Sequence, residues 1–150
     1  MSFAVTLVTA TTAGAGFLLA TRTDVTTDLP VLETMGPRTV ERVWSDPELR
    51  ATGLAYAVPM LFILLCHELG HYLTCRRYRL PATPPIFLPA PFALGTFGAF
   101  IRIRGAIRDR RQLLDVGASG PIAGFVALLP FLLLGIARSE PAPLAAAAAA

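Results

Sequence analysis

Lysine and asparagine are absent from this 150-residue chain, and all 13 basic side chains are arginine. Charge of either sign is scarce: 15% of residues carry it, against 54% that are hydrophobic. With a mean hydropathy of +0.59, the chain has more apolar surface than a core of this size encloses, which argues against a soluble domain. The few charges are clustered, with long uncharged runs between them, and that is the pattern of a membrane protein. Missing lysine and asparagine beside abundant alanine, proline and arginine fit a GC-rich genome better than a function. The arginines are not interleaved with aromatics, so no nucleic-acid partner is expected. Two cysteines, Cys66 and Cys75, are too few for a disulfide framework. On a straight helix their nine-residue separation is about 13 Å, beyond the reach of a disulfide, so both are expected reduced.

Three segments are long enough to cross a bilayer. The first covers residues 3–20 and is softened by Thr6, Thr9, Thr11 and Thr12. No basic residue precedes it, so the n-region of a cleaved signal peptide is missing and a retained helix is expected. The second covers residues 54–73 and the third residues 116–137. Residues 21–50 are polar, with prolines at 30, 37 and 47, and predict a loop with a short helix over 37–43. Four arginines and six acids lie in it, whereas residues 74–114 hold eight arginines and one acid, Asp109. The bias of arginine toward the cytoplasm puts residues 74–112 inside and 21–53 outside, in a multi-pass protein of the cell membrane.

Residues 84–103 are nearly apolar yet broken by Pro84, Pro85, Pro89, Pro91, Gly95 and Gly98, so a straight helix is excluded there. From Thr96 to Arg104 the pattern alternates, Ile101 and Ile103 on one side and Arg102 and Arg104 on the other. This is a strand period and predicts a hairpin, re-entrant or lying on the membrane surface and covered by protein. Residues 138–150 form a low-complexity tail ending in alanines.

The chemistry concentrates at Cys66-His67-Glu68-Leu69-Gly70-His71, inside the second apolar run. On a helix His67 and His71 share one face, so both imidazoles can reach one Zn²⁺. Glu68 is one step round, placed to take a proton from the attacking water and deliver it to a leaving amine. Three ionisable groups in so few apolar-flanked residues are costly in a membrane without partners, and a metal compensates two of them. Cys75 continues the stripe, but His67 to Cys75 spans about 12 Å of rise, too far for one ion. Asp115 reads as a cap or headgroup contact, or as a ligand only if its helix end approaches His67.

Three motifs in order, His67-Glu68-Leu69-Gly70-His71-Tyr72, Gly95-Thr96-Phe97-Gly98-Ala99-Phe100-Ile101 and Gly120-Pro121-Ile122-Ala123-Gly124, resemble the site-2 protease family of intramembrane metalloproteases. The likeness is nearest to its bacterial, archaeal and plastid branch and covers residues 50–137. The resemblance implies zinc held by His67 and His71, with Glu68 as catalytic base. It implies an extended substrate contacted by Gly95, Thr96, Phe97, Gly98, Ala99 and Phe100, and a third helix packed through Gly120 and Gly124. It also implies a third ligand, an aspartate followed by glycine on a later helix, and no Asp-Gly pair occurs here.

The expected fold is thus an all-α polytopic membrane protein of about three transmembrane helices, with a β-hairpin between the second and third. The expected function is intramembrane zinc endoproteolysis of membrane proteins with a transmembrane segment, this chain being the N-terminal portion of the active unit. Its neighbours are the lipid bilayer and that substrate; oligomeric state is not legible. Two alternatives stand: a truncated, non-catalytic homologue that binds membrane partners, and a different membrane zinc peptidase family with a glutamate third ligand.

Overall fold

The computed structural model describes residues 2–22, 37–90 and 94–139. Residues 23–36 of the expected outer loop and most of the alanine tail lie outside these residues. Four helices and one hairpin follow in chain order: α1 (Ser2–Arg22), α2 (Pro37–Ser45), α3 (Pro47–Arg77), β1 (Ile86–Pro89), β2 (Thr96–Phe100) and α4 (Arg110–Arg138).

Helix α3 begins at Pro47, well before the apolar run at residue 54. The Asp46 carboxylate accepts from the amides of Glu48 (2.9 Å) and Leu49 (3.4 Å), and Pro47 takes the first helical position. Hydropathy marked only the apolar part of a longer helix. At its other end Arg79 adopts φ +55°. The Leu80 amide donates to the Cys75 carbonyl (2.8 Å) and the Arg79 amide to that of Arg76 (3.0 Å). This is the Schellman termination, with arginine where glycine is usual.

Helix α4 likewise starts before its apolar run. Asp109 caps it, accepting from the Gln112 amide (2.7 Å), and the Gln112 side chain reaches back to the Arg108 amide (2.8 Å). The cap expected of Asp115 therefore belongs to Asp109. Among the described residues two helices, α3 and α4, are long and apolar enough to cross a membrane. Helix α1 forms where the first span was expected, but its apolar stretch, Phe3–Phe17, is shorter than those two.

The predicted hairpin is present. β1 and β2 pair antiparallel, Ile86 opposite Phe100, Phe87 opposite Ala99 and Leu88 opposite Gly98, then shift register so that Pro89 faces Thr96. Phe97 is the extra residue of this bulge, and Gly98 beside it has φ +100°. The alternation of residues 101–104 also holds. Ile101 and Ile103 pack toward Cys75, Leu80 and Val116, whereas Arg102 and Arg104 are exposed.

One apolar cluster joins α1, α3 and the hairpin through Ala10, Ala57, Leu61 and Phe87, with Leu64, Leu65 and Ala99 packed against it. The threonines of α1 are accommodated by local bonds: Thr11 donates to the Leu7 carbonyl (2.7 Å) and Thr12 to that of Val8 (2.9 Å). Thr9 donates across to the Gly95 carbonyl (2.6 Å), tying the hairpin turn to α1.

Candidate metal and catalytic site

Helix α4 buries a single stripe, Gln112, Val116, Gly120, Gly124 and Ala127, at intervals of three or four. Two of these positions hold glycine, and both lie under histidines of α3. A Cβ on Gly120 would run into the His71 ring, and one on Gly124 would stand 3.3 Å from Cβ and Nδ1 of His67. The reciprocal contact is Gly70 of α3, where a Cβ would meet the Ser119 backbone and the Ala123 side chain. Close approach through small residues is thus specific: the space left on α4 is filled by imidazoles.

His67 and His71 converge. Their rings meet edge to face with centroids 4.9 Å apart, and their Nε2 atoms are 3.2 Å apart. Nδ1 of His71 lies 2.6 Å from the Val116 carbonyl oxygen, which also accepts from the Ser119 hydroxyl (2.9 Å). A carbonyl can only accept, so Nδ1 carries a proton, and in the neutral form of the ring Nε2 is then the bare nitrogen. Two nitrogens bound about 2.0–2.1 Å from one tetrahedral zinc lie roughly 3.3 Å apart. The separation and the tautomer therefore both suit a shared metal ion. Among the described residues no group of three His, Cys, Asp or Glu converges, so no third donor joins the pair.

Glu68 is among the buried residues of α3. It belongs to the buried stripe Ala57, Leu61, Glu68 and Cys75, whose Ala57 and Leu61 meet the α1–hairpin cluster. Only 8% of it is exposed. The same stripe meets α4 at its other end, where Cys75 packs against Val116.

Asp115, weighed above as a cap, a headgroup contact or a ligand, accepts instead from the Tyr78 hydroxyl just past the end of α3. Cys75 sits fully buried with Leu80 and Val116, and both cysteines are free. Along the hairpin the six expected substrate contacts divide. Gly95 (φ +77°) packs on the backbone of Thr9 and Ala10. The Thr96 hydroxyl donates to the Leu88 carbonyl (2.8 Å) and accepts from the Gly98 amide (3.0 Å). Ala99 packs on the apolar cluster. Phe97 and Phe100 project outward, 64% and 42% exposed, and nothing lies within 4 Å of a Cβ built on Gly98.

The Val116 carbonyl and the Tyr78–Asp115 pair were not singled out from sequence. A backbone acceptor leaves no side-chain signature, and Tyr78 and Asp115 are 37 positions apart.

The histidine pair is spaced for a metal ion, and the comparisons with known proteins give the family. Residues 55–149 match peptidase family M50, so the chain belongs to that family, the site-2 proteases. It is 38% identical over 89 residues to the probable zinc metalloprotease EGY2, chloroplastic, of Arabidopsis thaliana, covering 59% of this chain and 16% of that protein. Against the EGY1 counterpart of Oryza sativa subsp. japonica identity is 34% over 89 residues, 59% of this chain and 15% of the relative. The aligned part is therefore a small share of each relative's length. No solved structure matches the chain.

Proposed function

We propose that this chain supplies two zinc ligands, His67 and His71, and the general base, Glu68, of an endopeptidase that cuts membrane proteins in or near a transmembrane segment. The observation that carries the reading is the pair of Nε2 atoms 3.2 Å apart, with His71 fixed in the metal-ready tautomer by the Val116 carbonyl. Bound zinc would supply Lewis acidity, making water a stronger acid and the scissile carbonyl a better electrophile. Glu68 accepts the proton of the attacking water and returns it to the leaving amine. By the family resemblance the third ligand would be an aspartate followed by glycine, a pair this sequence does not contain.

Glu68→Gln keeps size but removes the base, so cleavage of a single-span substrate should fall at least ~10²-fold with zinc retained. His67→Ala should lose zinc. Equal zinc in His67→Ala and the parent by metal analysis of the full-length protein would sink the ligand assignment. That result would favour the non-catalytic reading, for which the lack of a third donor among the described residues speaks.

Substrate is aligned on β2. The Arg104 amide donates to the Pro81 carbonyl (2.8 Å) and that of Arg102 to the Thr83 hydroxyl (2.9 Å). Strand alternation therefore turns the amides of Ala99 and Ile101 away from β1. An unwound substrate can add there as a strand, through backbone groups that tolerate varied sequence. Ala99→Pro deletes one such donor and should slow cleavage with zinc content unchanged. Normal cleavage by a folded, zinc-loaded Ala99→Pro protein would leave the hairpin only a covering role.

In the same reading α3 and α4 cross the bilayer with residues 74–112 in the cytoplasm. Cysteine labelling from outside intact cells should modify a site at position 33 and spare one at position 108; the reverse pattern refutes this topology.

A further inference from the structure

The end of α3 and the start of α4 are tied at two neighbouring residues of α4, Asp115 and Val116, and the Val116 carbonyl faces His71. The Schellman termination brings Leu80 back onto Cys75, and Val116 of α4 completes that buried cluster. One residue earlier on α4, Asp115 accepts from the Tyr78 hydroxyl. Val116 is therefore held through its side chain and through its neighbour, while its carbonyl takes the Nδ1 proton of His71. The hydroxyl of Tyr78 is thus linked to the imidazole of His71 through Asp115 and one peptide unit.

We propose that Tyr78 and Asp115 are positioning residues for the metal pair. Their hydrogen bond sets the height of α4 against α3 so that the Val116 carbonyl meets His71 Nδ1, holding the ring in one tautomer and rotamer. Partners that orient a metal-binding histidine are worth ~10–100-fold in affinity when removed directly. Tyr78 acts one step further out, so its loss costs roughly three- to tenfold. The tie is not a switch near neutrality. The bond to Asp115 raises Tyr78 above 10.0, with desolvation and the Asp115 charge adding and Arg111 and Arg77 opposing. A raised folded-state value means the bond is intact below 10.0 and is lost only as pH climbs through the raised value.

This inference rests on the zinc reading above, and its test separates the two. In the full-length protein, Tyr78→Phe and Asp115→Ala should each weaken zinc binding, measured by competition with a chromogenic chelator, roughly three- to tenfold. Asp115→Asn, which keeps an oxygen acceptor for Tyr78, should restore it to within about twofold. In the metal-free protein, ¹⁵N shifts of His71 should report the Nδ1–H tautomer in the parent and a mixture in Tyr78→Phe. A purely structural role would lower the melting temperature and leave both readouts alone, and that result overturns the proposal. Should the parent bind no zinc, the ligand reading fails, yet the tautomer measurement still decides whether Tyr78 positions His71.

Discussion

Both faces of α3 are built on glycine contacts, but the glycines do different work on each. Toward α1, a Cβ on Gly14 would stand 2.6–2.7 Å from the Tyr56 side chain, and one on Gly53 would strike Thr11. Gly95 rests on the α1 backbone. These are contacts of backbone with backbone or with inert side chains, and they bring elements together. Toward α4 the space over Gly120 and Gly124 is occupied by the two histidines. There the absence of a side chain decides where a reactive ring stands. The first kind of contact governs how firmly the helices associate, the second what they can hold.

That contrast can be broken by adding a single methyl group at each place. The largest effect is expected at Gly120. Gly120→Ala forces His71 off the Val116 carbonyl, and zinc affinity by chelator competition should fall at least roughly tenfold. Gly14→Ala comes next and should act on a different quantity. Overpacking against Tyr56 costs about 1–3 kcal/mol of stability, read as a lower unfolding midpoint, with zinc affinity of the folded protein unchanged. Gly124→Ala should be mildest, since 3.3 Å from His67 asks for a shift of a few tenths of an ångström, and zinc binding should weaken only a few-fold or less. Zinc loss in Gly14→Ala equal to that in Gly120→Ala would erase the distinction between the two faces.

The elements that carry chemistry were legible because their signals are local. Two histidines four apart inside an apolar run, and an alternation from Thr96 to Arg104 behind prolines, each needs only a short window. The helix starts were legible in principle: Asp46-Pro47 and Asp109 with Gln112 are capping patterns, but reading hydropathy alone placed both starts too late. Pairings across the chain were not. The glycine spacing 120–124 announced a close helix contact without saying that imidazoles fill it. Nothing local marks the Val116 carbonyl as an acceptor or joins Tyr78 to Asp115. Both depend on the register of α3 against α4, which is set by packing along their whole length.

Arg79 has one more consequence. The left-handed position that ends α3 costs a non-glycine residue ~1–2 kcal/mol, and a glycine would avoid that strain. An arginine beside an anionic leaflet gains ~1 kcal/mol, a quantity of the same size and opposite sign. If α3 spans a bilayer, that attraction offsets the backbone strain of its Schellman end on an anionic surface, and the offset is missing in an uncharged detergent.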